Sequence, residues 1–360
     1  MEKRTAVSFA EKSAPNALIG GEKRVLDGVI RKTGFVPEKE IFRGEQIYAK
    51  GKPLLGSVHY SGTYEGKPAV LKLQGLKVEV SEALMARNFE RQNRSKIIHA
   101  PKIYRNEEWS AKRGYGFTIS ELIEGRPIYG TPFATERQMK EFARFYQEYK
   151  TRAITRPWVS ADPGRIHIST PSRSSTALEA VMKSVERWRS NAEERGRLEF
   201  DDYARCLVRF YPLAAEYIPR MKLEFMHGEL MAQHVLRMQD GTYRILSNIL
   251  WRYALEWNDL AKNVWWNLLQ IHSNSCTLKE VTAYVEKWLK VYRTIPVVKR
   301  DKNFGRKIDF LMLERMIGTI IGDMGSQPYW GSEEGRRHFK HMLGIYQGLF
   351  DHFAERLSRY

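Results

Sequence analysis

The forty residues from Lys222 to Ala261, KLEFMHGELMAQHVLRMQDGTYRILSNILWRYALEWNDLA, constrain this chain more than any other stretch. Short apolar runs alternate with polar breaks. Leu223, Phe225 and Met226 lead into His227-Gly228-Glu229-Leu230; Val235, Leu236 and Met238 lead to Asp240-Gly241; Tyr243, Ile245 and Leu246 return. Runs this short around an Asp-Gly pair predict strand, polar loop, strand, two-residue hairpin turn, strand and linker, with a helix opening at Asp259-Leu260-Ala261. A plain β-meander before a core helix would share the apolar rhythm, but nothing in it asks for a His-Gly-acid-Leu loop.

That order resembles the catalytic segment of the aminoglycoside phosphotransferase and choline kinase group, a branch of the protein-kinase-like fold. The group's pattern is His-Gly-Asp-Leu, three residues, Asn, a hairpin, an Asp at a strand end, and Tyr-Asp-Leu-Ala opening a helix. This chain keeps His227, Gly228, Leu230, the Asp240-Gly241 turn and Asp259-Leu260-Ala261. It departs at Glu229, where the group has its catalytic Asp, at His234, where it has a metal-binding Asn, and at Ser247, where it has its main metal-binding Asp. The resemblance implies an α+β fold of two lobes, a small antiparallel sheet and a larger, mainly helical part. It also implies ATP or GTP as cofactor, with Glu229 and His227 as catalytic residues and Asp259 as a structural brace of the loop.

The departures change the chemistry. Phosphoryl transfer relies on positioning and on charge neutralisation, with metal ions bridging phosphates and a carboxylate orienting the acceptor hydroxyl. Glu229 keeps a carboxylate one methylene further out. Magnesium asks for hard oxygen donors in octahedral array, whereas Ser247 offers a neutral oxygen and His234 a nitrogen suited to softer metals. Asn248 and Glu256 are the nearby residues that could take over a metal. These changes point to a pseudokinase or a very weak phosphotransferase. The alternative is an active phosphotransferase with an atypical metal site.

Upstream, the resemblance supplies a nucleotide-binding half. Leu54, Gly56, Val58 and Tyr60 match a glycine hairpin over phosphates, and Ala69-Val70-Leu71-Lys72-Leu73 follows as a strand. Alternation puts Val70 and Lys72 on one face of it. The resemblance makes Lys72 the phosphate-reaching lysine and Val70 the roof of the adenine. A helix over Val80–Asn93 carries Glu82 on the face of Met85, Ala86 and Phe89, an awkward place for a carboxylate unless a cation such as Lys72 meets it. Phe117 to Gly125 matches the hinge, with backbone groups near Glu121 to Ile123 placed for adenine.

Residues 1–44 then form an N-terminal extension with a short helix at Val25, Leu26, Val29 and Ile30, residues 45–125 the N-lobe, and 126–360 the helical C-lobe. Apolar spacing predicts C-lobe helices over Glu136–Lys150, Ala177–Glu194, Asp202–Ile218, Leu278–Tyr292, Lys307–Met324 and Glu334–Arg359. The basic run Arg293–Lys307 is expected as a solvated loop, and Trp265 and Trp266 as core.

A net charge of +17 draws anionic partners: nucleotide, an anionic small molecule, an acidic protein or, as a third reading of function, nucleic acid. It argues against polycationic acceptors. Two isolated cysteines and no apolar run of membrane-spanning or signal-peptide kind predict a cytoplasmic protein without a disulfide framework.

Overall fold

The computed structural model describes residues 15–46, 54–77, 81–130, 133–154, 174–195, 198–248, 251–269, 276–325 and 333–360. These gather into two compact units, 15–126 with 236–248 and 127–235 with 251–360.

In the first unit, α1 (Glu22–Thr33) ends where Gly34 takes a left-handed φ of 73°. Strands β1 (Val36–Gln46), β2 (Leu54–Tyr64) and β3 (Lys67–Gln74) follow, then α2 (Glu82–Gln92), β4 (Ile98–His99), β5 (Ile103–Ser110) and β6 (Tyr115–Glu121). The main sheet runs β1-β2-β3-β6-β5, antiparallel throughout. Alternation along β3 sends Ala69, Leu71 and Leu73 into a core with Val58, Phe117 and Ile119, onto which α1 packs Val25 and Val29. Lys72 therefore lies on the opposite face, beside His59 of β2 and Thr118 of β6.

The stretch expected to lie wholly in an extension thus contains an edge strand. Residues 38–43 of β1 are exposed, so the strand has no apolar alternation to show in sequence. Gly56 is also inside β2, not at a hairpin tip, and its carbonyl accepts the Gly75 N–H at 3.0 Å. The β1–β2 connection and residues 155–173 lie outside the described residues.

Beyond β7 (Arg126–Pro127) come α3 (Glu136–Glu148), α4 (Ser174–Arg195) and α5 (Phe200–Tyr217). The central segment follows as β8 (Leu223–Met226), β9 (Val235–Arg237), β10 (Tyr243–Ile245) and β11 (Arg252–Leu255), then α6 (Asn258–Leu269). The expected linker is largely β11, which pairs antiparallel with β8 from Arg252 beside Met226 to Leu255 beside Leu223. The turn is a three-residue one, because Met238 N–H donates to Thr242 O at 2.8 Å across Gln239, Asp240 and Gly241. Gly241 supplies the left-handed φ of 82° that such a loop needs. Within the first unit, β10 adds in parallel to β4, Tyr243 beside Ile98.

The rest of the second unit is α7 (Leu278–Tyr292), α8 (Pro296–Lys299), α9 (Phe304–Gly318) and α10 (Glu333–Leu357). Apolar residues surround α9, so it forms the core against α5, α6 and α10. The basic run is no solvated loop: it holds α8 and buries Ile295, Val298 and Phe304. Trp265 and Trp266 are half-buried, and Trp265 donates from Nε1 to Thr319 Oγ1 at 2.6 Å. Among the described residues no helix is long and apolar enough to cross a membrane.

Candidate functional site

Each unit carries a cluster of charged residues at positions singled out by sequence. In the first unit, Ser81 caps α2 by accepting the Leu84 N–H, which sets Glu82 in the first turn facing β3. Lys72 Nζ meets Glu82 Oε2 at 2.8 Å. Burial works against that carboxylate, yet Lys72, His59 and the Asn248 backbone N–H together hold it below its ordinary range. Glu82 is thereby an anion fixed between a strand lysine and the chain just after β10, leaving the remaining Lys72 donors to meet a ligand oxygen.

His59 was missed in sequence. It stands opposite Lys72, its Nε2 is buried without a partner among the described residues, and burial with the Lys72 charge pushes its pKa down to about 4. Only the pairing register reveals it. Val70 is half-buried on the Lys72 face. At the end of β6 the Glu121 backbone N–H donates to Lys102 O at 2.8 Å and its carboxylate is held by Arg244 at 3.4 Å, so the Glu121 N–H is not available to a base. Ile123 makes no backbone hydrogen bond to another described residue, which leaves its N–H and carbonyl open to one.

In the second unit the loop after β8 is braced from below. Asp259, fully buried at the start of α6, accepts the Gly228 N–H at 3.1 Å and the Tyr149 hydroxyl at 3.0 Å. The same hydroxyl accepts the His227 N–H at 2.8 Å. Burial pushes the Asp259 carboxyl up against the pull of Lys150 and of these donors. Tyr149 reaches this point because α3 passes into a π-helical turn over Tyr149–Ala153, a local widening that recurs at functional sites. Helix α6 is itself anchored: Asn263 and Asn267, one turn apart, are joined through hydrogen bonds with Tyr129, Tyr284 and Tyr292.

His227 does not fit a catalytic role. Its ring is 0% exposed and packs 5.1 Å from the Trp251 ring, so it shapes the loop from within. Glu229 is one-third exposed and has Lys262 Nζ at 3.6 Å from Oε1. Arg252 donates to Gly228 O at 2.9 Å, and its charge also acts on Glu229. Neither Arg252 nor Lys262 was picked out in sequence, although a lysine inside the apolar run Leu260-Ala261-Lys262-Asn263-Val264 is the signal that could have found it.

The donors for magnesium do not fit. His234 Nδ1 lies 2.8 Å from Glu229 O, an acceptor only, so the ring donates there and closes the loop. Ser247 carries a left-handed φ of 55° and a neutral hydroxyl. Asn248 is buried and donates from Nδ2 to Ile245 O at 2.8 Å, while Glu256 pairs with Lys307 at 2.8 Å and accepts the Lys222 N–H. Glu256 is thus committed to protein partners, and Asn248 is held through its amide nitrogen. Among the described residues no three His, Cys, Asp or Glu side chains group in a way that could hold a metal ion.

No protein-family model and no curated protein matches this chain. Solved structures do. Amicoumacin kinase in complex with AMP-PNP, Ca2+ and Ami superposes with a TM-score of 0.58 at 14% identity, covering 92% of this chain and 93% of that one. A thermostable mutant of aminoglycoside phosphotransferase APH(4)-Ia gives 0.55 at 11% identity, over 91% of this chain and 98% of that one. Plasmodium vivax ethanolamine kinase gives 0.52 at 10% identity, over 94% and 89%. At such identities the likeness is one of fold.

Proposed function

We propose that this chain, whose fold is that of the aminoglycoside phosphotransferase and choline kinase branch of the protein-kinase-like proteins, binds a nucleoside triphosphate and has lost most of its phosphotransfer power. The observation that carries the reading is the 2.8 Å Lys72–Glu82 pair, steadied by the Asn248 N–H, set against the neutral Ser247 and the His234 ring turned onto Glu229 O at the two positions that the resemblance gives to metal ligands. Lys72 holds phosphate oxygens, Val70 covers the base, and the Ile123 backbone meets the edge of the adenine or guanine.

Glu229 keeps the position from which a carboxylate orients an acceptor hydroxyl, and the Asp259–Tyr149 brace fixes its loop. What is weakened is the neutralisation of developing charge. Loss of one preorganised element of that kind costs about 3–4 kcal/mol at the transition state. The fold and the nucleotides bound by its structural neighbours, AMP-PNP in the amicoumacin kinase and ADP in a further APH(4)-Ia structure, support the same ligand class. Calorimetric titration of ATP into wild-type and Lys72→Met protein tests the reading. Micromolar to millimolar binding that drops at least tenfold in the variant is expected; equal affinity in both would remove Lys72 from the site.

A further inference from the structure

Lys262 is 6% exposed; its ammonium lies 3.6 Å from the Glu229 carboxylate, feels the charge of Glu314 as well, and has no hydrogen-bond acceptor among the described residues. Such a group is costly to bury, and burial together with the neighbouring Arg252 lowers its pKa well below the usual lysine value. Arg252 is held on the same turn through Gly228 O. The next cation, Arg315, is already answered by the adjacent Glu314. Two cations, Lys262 and Arg252, thus lie around the Glu229 carboxylate.

We propose that Lys262 and Arg252 form an oxyanion subsite beside Glu229 that holds a phosphate or carboxylate group of a small-molecule ligand. Glu229, one-third exposed, provides the opening, and an incoming oxyanion gives the Lys262 ammonium the hydrogen bonds it lacks. The subsite does by side chain part of what a metal does by charge, and the net charge of +17 favours arrival of anions. It deepens the nucleotide-binding reading and rests on it for which ligand arrives. The oxyanion has two sources, an inorganic or organic polyphosphate or a singly phosphorylated small molecule.

Isothermal titration of the full chain in EDTA with inorganic tripolyphosphate, standing for a polyphosphate, and with glycerol 3-phosphate, standing for a singly phosphorylated molecule, separates them. Wild type binds at least one, Lys262→Met weakens it tenfold or more, Lys262→Arg keeps it, and Glu229→Gln strengthens it severalfold by removing the competing carboxylate. The probe that responds names the source. No binding of either probe, or equal binding by wild type and Lys262→Met, overturns the subsite. If Lys72→Met weakens tripolyphosphate while Lys262→Met does not, the nucleotide reading stands and the subsite falls. The reverse pattern keeps the subsite and removes the Lys72 clamp.

Discussion

The two charged clusters differ in what their side chains present. In the first unit a lysine, a glutamate and a backbone N–H form a closed set whose charges balance. In the second, the loop frame is equally firm, with Asp259, Tyr149 and Gly228 interlocked, but the side chains that it presents are a long carboxylate, a histidine turned onto the backbone and two cations. The proposed functions follow that difference, a nucleotide on the first cluster and an oxyanion on the second. A loop frame depends on buried hydrogen bonds, whose loss destabilises the chain. Metal donors carry no such obligation.

The largest expected effect breaks the frame. Asp259→Ala leaves the Gly228 N–H and the Tyr149 hydroxyl buried without their acceptor, and should cost about 3–4 kcal/mol in urea unfolding. A loss below about 1 kcal/mol would mean that the brace is replaceable. Next comes His59. Its folded pKa of about 4 lies below the unfolded value of 6.5, so the unfolded chain binds more protons and stability falls as pH drops from 6.5 towards 4. The loss is at most about 3 kcal/mol, and His59→Leu should flatten that part of the profile relative to wild type.

A smaller effect has the opposite sign. Because the Lys262 pKa is lowered in the fold, the unfolded chain holds the extra proton below about pH 10, and the lysine destabilises the protein at neutral pH. Lys262→Met should therefore gain about 1 kcal/mol or more at pH 7 and lose the rise in stability towards alkaline pH. A loss of stability in that variant would mean that the Glu229 ion pair outweighs burial. The smallest change in stability belongs to Lys72→Met, because the Lys72–Glu82 pair is part-exposed, and such pairs contribute roughly 1 kcal/mol or less. The same variant should nonetheless lose ligand-induced stabilisation, which separates a binding pair from a structural one.

How far the sequence could be read follows the same division. Periodicity exposes what is buried on one side, so the face of β3 carrying Lys72, the position of Glu82 and the main helices were legible. The edge strand β1 was not, since solvent covers most of its residues, nor was β11, whose four residues give no measurable period. Register was invisible too, and with it His59 opposite Lys72. Tyr149 was read as one more helix residue because a π-helical turn has no sequence signature. Lys262 was passed over because a lysine within an apolar stripe reads as an interruption, although a buried cation without a hydrogen-bond acceptor among the described residues is the most informative residue of α6. His227 misled in the other direction: a motif names a position, and burial decides what that position can touch.

The central claim is that nucleotide binding has outlived the magnesium site. Thermal unfolding with ATP, in EDTA and again with excess magnesium, tests it directly, alongside a Ser247→Asp, His234→Asn variant. A ligand at a hundredfold excess over its Kd adds about 2.7 kcal/mol, a rise of a few degrees for a chain of this size. The account predicts that rise in wild type with or without magnesium, and a magnesium-dependent increment only in the variant. A wild-type rise that appears solely with magnesium would contradict it, and would return the chain to the working metal-dependent phosphotransferases.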